Sequence, residues 1–244
     1  MDTPHERFIL VTGGARSGKS TYGERLAAQL AEPLGGRVTY LATSQTHDAE
    51  MTARVAAHRA ARPAAWTTVE CPLEVPAAIR EHAGAGAEAG SAASGGPSGP
   101  PVFLLDCITF WVTNLLFAGG AFGGSAPPDD GYNYDKKLLP AAEERHAAAR
   151  VAAAVDDLLA ARAETGATLI AVTNEVGLGV VPEYPLARLY RDQLGWANQR
   201  LAASADRVYF LVAGYPLDVK ALAAPFLPDL SSPADPSSPP KELQ

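Results

Sequence analysis

Short unbroken apolar runs alternate along this chain with longer stretches in which apolar residues recur every three to four positions. "FILVT" (Phe8–Thr12) reads as a buried strand, and Tyr22, Leu26 and Leu30 then follow at helical spacing. "RVTYLAT" (Arg37–Thr43) is a second strand. "DAEMTARVAAHRAAR" (Asp48–Arg62) reads as a helix, with Asp48 placed to cap it and Pro63 just beyond its end. A short extended piece, "TTVE" (Thr67–Glu70), precedes a third apolar strand, "VFLLD" (Val102–Asp106), and the apolar helix "CITFWVTNLLF" (Cys107–Phe117). An alanine-rich helix is predicted over about Leu139–Glu164, then two more strands, "TLIAVT" (Thr168–Thr173) and "RVYFLVA" (Arg207–Ala213). Strands alternating with helices predict an α/β fold, a mainly parallel sheet covered on both faces.

Three stretches fall outside this rhythm. Gly84–Pro101 and Gly119–Asp135 offer little to bury and are expected to be flexible insertions, and the Pro- and Ser-rich Ala224–Gln244 a disordered tail. The remainder, residues 1–223, is long enough for one domain with a substantial core.

Composition narrows the function. A formal net charge of −7 argues against a general nucleic-acid binder, although a nucleotide ligand needs only local positive charge. Two cysteines, Cys71 and Cys107, are too few for a disulfide framework and point to a reducing compartment. No apolar run approaches the ~18 residues of a membrane span, and the N-terminal run is too short for a secretion signal, so a cytoplasmic protein is expected.

Chemistry first enters between the first strand and the first helix. Gly13, Gly14, Ala15, Arg16, Ser17, Gly18, Lys19 and Ser20 match G-x-x-x-x-G-K-[ST], the phosphate-binding loop. Its glycines permit a tight turn whose N–H groups point inward, and the helix that follows adds its positive end. Lys19 is placed to reach the β- and γ-phosphates and Ser20 to ligate Mg²⁺. Asp106 ends an apolar strand, the position of a second Mg²⁺ ligand on a neighbouring strand; the same residue could instead cap the following helix. A P-loop NTPase with a mainly parallel, helix-flanked sheet, RecA-like in layout, is the expected fold. No N-K-x-D guanine reader of the GTPase type occurs, and Arg188, Arg191 and Arg200 could furnish a cationic lid. The residues thus indicate phosphoryl or nucleotidyl transfer.

Of five histidines, His5, His47, His58, His82 and His146, His58 stands out. It shares a helix face with Met51 and Val55, and Arg59 and Arg62 follow within a turn. A neutral imidazole beside arginines near a triphosphate can attack the α-phosphorus, expelling pyrophosphate. Spacing alone equally fits a structural histidine at the edge of the core.

The order of "ILVTGGARSGKS", "YLATSQ", "EMTARVAAHRAARPAAWTTVE", "LLDCITFWVTNLLF" and "VTNEVGLGVVPEYPLARLYRDQLGWANQRLAASADRVYFLVAG" resembles adenosylcobinamide kinase/adenosylcobinamide-phosphate guanylyltransferase, over nearly all of Phe8–Lys220. The resemblance implies two reactions. A nucleoside triphosphate, ATP or GTP, phosphorylates adenosylcobinamide; GMP then passes from GTP, through a guanylylated histidine, to adenosylcobinamide phosphate. It assigns the intermediate to His58, and contacts with GTP to the phosphate loop, Thr43, Ser44, Gln45, Arg59, Ala60, Ala61, Arg62, Glu70 and Asp106. Some relatives carry two adjacent histidines where this chain has Ala57 and His58. The resemblance also implies a homotrimer, with Asn174–Asp192 and its apolar Val176, Leu178, Val180 and Val181 at a subunit edge. Retention of one activity alone, or a silent nucleotide-binding regulator, are the competing readings.

Overall fold

The structure, a computed structural model, describes residues 7–32, 37–45, 62–84, 102–118 and 141–223. Seven strands form one sheet: β1 (Phe8–Gly13), β2 (Val38–Ala42), β3 (Thr67–Glu70), β4 (Val102–Asp106), β5 (Thr168–Val172), β6 (Arg207–Val212) and β7 (Tyr215–Asp218). The order is β3-β2-β4-β5-β1-β6-β7, parallel throughout except for β7, which runs back along β6.

The unbroken apolar runs are explained by the period of two. Phe8 and Leu10 of β1 join one core with Leu41, Phe103, Leu105, Leu169 and Ala171, whereas Ile9 and Val11 join the other with Tyr40, Leu104, Ile170 and Val172. Both faces of the central strands are therefore covered, which is why their apolar runs are nearly continuous. Each such fully buried aliphatic or aromatic side chain contributes roughly 1.5–3 kcal/mol.

Among the described residues the two faces differ in thickness. One carries α1 (Lys19–Ala31), which packs through Ala27 and Ala31 with Tyr22, Leu26 and Leu30 beside them. Gly23 allows this helix its close approach, because a Cβ there would sit 3.1 Å from Val172 and 3.2 Å from Leu104. The other face carries α2 (Val75–Gly84), α3 (Ile108–Phe117), α4 (Ala141–Thr165) and α5 (Pro185–Ser204). Trp111, Val112, Leu116, Val155, Leu158, Leu194 and Leu201 form the body of that layer. A last short turn, α6 (Val219–Leu222), follows β7.

This is the α/β P-loop architecture expected from the sequence, with four differences. Asp106 lies at the end of β4, which is separated from β1 by β5, so its strand is not the immediate neighbour of the loop strand. Gly84, assigned to an insertion, is the last residue of α2. The β6–β7 hairpin was not anticipated because "YPLD" has neither alternation nor a strong strand former at Pro216, and it turns on Ala213 and Gly214, both at positive φ. Arg188, Arg191 and Arg200 belong to α5, a helix packed on the sheet, and not to a lid. The predicted helix over Asp48–Arg62 up to residue 61, with His58, Arg59, Ala60 and Ala61, lies outside the described residues. So do the insertions at 85–101 and 119–135 and the tail from 224.

Candidate functional site: the phosphate loop and its carboxylate

The phosphate loop is shaped by its own backbone and by neighbouring turns. Ser17 N–H donates to Gly14 O at 3.4 Å, Gly214 N–H donates to Ser17 O at 3.0 Å, and Glu175 N–H donates to Gly13 O at 3.1 Å. Gly13 is obligatory: a Cβ there would lie 2.6 Å from the carbonyl oxygen of Leu211. Arg16 is exposed and holds φ of 55°. Ala15 is likewise exposed. Gly18 then starts α1, accepting the N–H of Tyr22 at 2.9 Å.

Lys19 is buried, at 7% exposure, and folds back so that Nζ donates to Gly14 O and lies 3.5 Å from Ser17 Oγ. Burial pushes its ammonium below the usual lysine range, while Cys107 and Asp106 pull in the other direction. The Cys107 thiol is itself driven up to about 12, chiefly by burial and then by Asp106, so it is neutral at physiological pH. The Asp106 carboxylate is therefore the effective counter-charge to Lys19.

Asp106 does not cap α3. The cap position belongs to Cys107, with no side-chain cap hydrogen bond. Asp106 Oδ2 instead accepts the hydroxyl of Tyr40 at 2.8 Å. Burial first, then Asp106, raises the Tyr40 phenol well above its ordinary value, so the hydroxyl stays protonated and donates. The guanidinium of Arg62 lies over the same ring, its Cζ 3.4 Å from the centroid. Arg62 Nη1 donates to Thr68 Oγ1 at 3.4 Å, and its Nε is buried with no partner among the described residues.

Thr43, Ser44 and Gln45 continue from β2 toward this point. Thr43 is fully buried and its hydroxyl is consumed by Cys107, accepting that residue's N–H at 2.9 Å and donating to its carbonyl at 2.7 Å. Its side chain thus holds the turn after Asp106, leaving half-buried Ser44 and exposed Gln45 as the accessible side chains. Asn114 anchors the same turn from α3, donating to Thr43 O at 2.8 Å and to Pro72 O at 2.9 Å. Glu70 is exposed at the end of β3.

The donor set fits a hard cation shared with a nucleotide. Ser20 and the second carboxylate oxygen of Asp106 have no partner among the described residues, where no cluster of three or more His, Cys, Asp or Glu could cage a metal. A hydroxyl and a carboxylate oxygen are hard donors of the kind Mg²⁺ takes, one or two from protein with its shell completed by phosphate oxygens and water.

A polar network at the carboxyl end of β5 escaped the sequence reading. Thr173 Oγ1 donates to Asn198 Oδ1 at 2.7 Å, Asn198 Nδ2 donates to Asn174 O at 3.0 Å, and Thr109 Oγ1 accepts the N–H of Asn174 at 2.9 Å. It fixes the strand end between the loop and Asp106. The signal was present in "TLIAVTN", an apolar strand ending in two polar residues, as "VFLLD" ends in one. Beyond it, Val176 packs on the core of its own chain, while Leu178, Val180 and Val181 are 80%, 95% and 63% exposed. The α5 arginines are engaged locally: Arg188 donates to Pro182 O at 3.1 Å and to Glu183 O, Arg191 pairs with Asp192 and Arg200 with Asp156.

Comparisons with known proteins show the family of the chain. The family model described as cobinamide kinase / cobinamide phosphate guanyltransferase matches residues 9–219. The bifunctional adenosylcobalamin biosynthesis protein CobU of Salmonella typhimurium is 42% identical over 217 residues, 87% of this chain and 99% of that protein. CobP of Pseudomonas aeruginosa, of the same description, is 40% identical over 211 residues, 86% of this chain and 96% of its own length. The chain also resembles a solved ATPase domain, at 11% identity and a TM-score of 0.44, covering 85% of this chain and 69% of that one.

Proposed function

The chain belongs to the cobinamide kinase / cobinamide phosphate guanyltransferase family, and we propose that it carries out both steps that this name describes. In the first, the aminopropanol hydroxyl of adenosylcobinamide attacks the γ-phosphorus of ATP or GTP. The β–γ bridging bond breaks, the nucleoside diphosphate leaves, and the hydroxyl proton passes to solvent. In the second, a ring nitrogen of His58 attacks the α-phosphorus of GTP and pyrophosphate leaves. A phosphate oxygen of adenosylcobinamide phosphate then attacks the phosphoramidate, giving adenosylcobinamide-GDP and free His58.

The observation that carries this reading is the meeting of Lys19, Asp106, Tyr40 and Arg62. Buried Lys19 is opposed by Asp106, Asp106 is held by Tyr40, and Tyr40 carries Arg62, four residues after His58. The inward-turned loop binds the triphosphate through its N–H groups, and Lys19 exchanges Gly14 O for phosphate oxygens. Ser20 and Asp106 would hold Mg²⁺, which when bound neutralises charge on the phosphates. Ser44, Gln45, Arg59, Ala60, Ala61, Arg62 and Glu70 border the nucleotide, with Thr43 supporting from beneath. Arg59 and Arg62 supply charge to the leaving pyrophosphate.

The assembly is read as a homotrimer of single-domain subunits spanning residues 1–223, cytoplasmic in location. Among the described residues no helix is long and apolar enough to cross a membrane. Leu178, Val180 and Val181 support a subunit edge that adjoins the cobinamide, since three exposed apolar side chains on one loop gain by being covered. The test is incubation with Mg²⁺ and GTP labelled at the α-phosphate. The label is expected to bind covalently, to chase into product when adenosylcobinamide phosphate is added, and to be absent from His58→Ala. GTP binding without covalent label would contradict the nucleotidyl-transfer step.

A further inference from the structure

Tyr40 is 2% exposed, in the middle of a strand whose residues are all buried. Packing alone would be served by Phe, yet its hydroxyl reaches across to β4 and donates to Asp106 Oδ2 at 2.8 Å. Parallel pairing makes this possible. Tyr40 lies opposite Leu104 and Ala42 opposite Asp106, so the phenol spans two residues along the ladder to reach the carboxylate. With Oδ2 taken, the rotamer of Asp106 is fixed and its second oxygen is the one left to present. The ring is used as well: Arg62 stacks on it at 3.4 Å while its Nε stays buried without a partner among the described residues. A buried guanidinium donor without a partner is costly, so an anion that accepts from it is favoured there.

We propose that Tyr40 is a positioning residue with two separable duties: its hydroxyl orients Asp106 for the cation used in both half-reactions, and its ring seats Arg62, whose planar group serves guanylyl transfer more than phosphoryl transfer. The proposal rests on the reading of Asp106 as the Mg²⁺ carboxylate. Its two parts make different demands on one side chain, so substitutions can divide them. Tyr40→Phe keeps the ring and removes the hydroxyl, and Arg62→Lys keeps the charge but removes the planar group that stacks.

The experiment follows Mg²⁺-dependent binding of a non-hydrolysable GTP analogue by calorimetry, alongside separate rates of kinase turnover and His58 labelling. Tyr40→Phe is expected to raise the Mg²⁺ concentration for half-maximal analogue binding about tenfold or more, the usual effect of removing the partner of a metal-binding carboxylate. Both half-reactions should fall at limiting Mg²⁺ and recover at saturation. Arg62→Lys should leave the Mg²⁺ midpoint unchanged and slow labelling more than kinase turnover at every Mg²⁺ concentration. Asp106→Asn is the control. A large Mg²⁺ shift in Asp106→Asn with none in Tyr40→Phe would overturn the proposal and leave the metal reading intact. No shift in Asp106→Asn would overturn both. Equal loss of kinase and labelling rates in Arg62→Lys would overturn the division of duties.

Discussion

Two loops leave adjacent parallel strands at the same end of the sheet, and they are stabilised in opposite ways. The loop after β1, Gly13–Gly18, turns inward and is held by backbone groups: Ser17 on Gly14, Gly214 on Ser17, Glu175 on Gly13. Its shape depends on Gly13 having no Cβ and on Lys19 folding back beneath it. The segment after β5 begins just as firmly, in the network of Thr173, Asn174, Asn198 and Thr109, but its tip turns outward with Leu178 and Val180 almost fully exposed. The first loop is complete within the chain and ready for a ligand with many acceptors, such as a triphosphate. The second leaves apolar side chains in water, which favours contact with another surface. One chain thus carries a nucleotide loop shaped by its own backbone beside a loop whose apolar tip is exposed, the part proposed above to meet a partner subunit and cobinamide.

This contrast can be broken most sharply at Lys19. Lys19→Ala is expected to lower both the kinase rate and His58 labelling by at least about a hundredfold, because both reactions use the same loop. Assays of the two half-reactions check this, and survival of either at near wild-type rate would show that it does not use the loop. A smaller and more selective effect is expected from Leu178→Ser with Val180→Ser and Val181→Ser. Sedimentation velocity should show weaker assembly and kinetics a raised KM for adenosylcobinamide, with affinity for the GTP analogue unchanged. Lost GTP affinity would show that the two loops are one unit.

The smallest effect concerns two buried thiols at the ends of β3 and β4. Burial drives the thiols of Cys71 and Cys107 up to about 11 and about 12, from an ordinary 9.0. Folded values raised in this way stabilise the protein fully below pH 9.0, and the contribution is lost as pH climbs through the folded values. The urea midpoint should therefore fall from about pH 9 upward, and the decline should flatten in Cys71→Ala with Cys107→Ala. An unchanged decline in that variant would place the alkaline sensitivity elsewhere.

Legibility in the sequence followed the same division. The inward loop was readable because a backbone-defined shape demands particular residues at fixed spacing, and β1, β4 and β5 because fully buried strands must be continuous in apolar residues. Asp106 was readable as a strand-terminal acid, but not its distance in the sheet from β1, which depends on β5 inserting between them. Thr43 illustrates the limit: it follows β2 as expected, yet its hydroxyl serves Cys107, a pairing across 64 positions that no local pattern encodes. Tyr40 was hidden for a similar reason, since among apolar neighbours its ring explains its presence and its hydroxyl passes unnoticed. The arginines of α5 appeared as a lid because charge is visible in sequence, whereas the Leu194, Ala197 and Leu201 face that pins the helix to the core emerges only with the sheet in place.

The role proposed for the phosphate loop is to hold GTP so that His58 can take its GMP. The most direct measurement is the intact mass of the protein after incubation with Mg²⁺ and GTP, followed by acid and by alkali. One added GMP is expected, stable to alkali, released by acid, and missing in His58→Ala and Lys19→Ala. An unmodified mass with GTP bound, or an adduct that persists in His58→Ala, would contradict it.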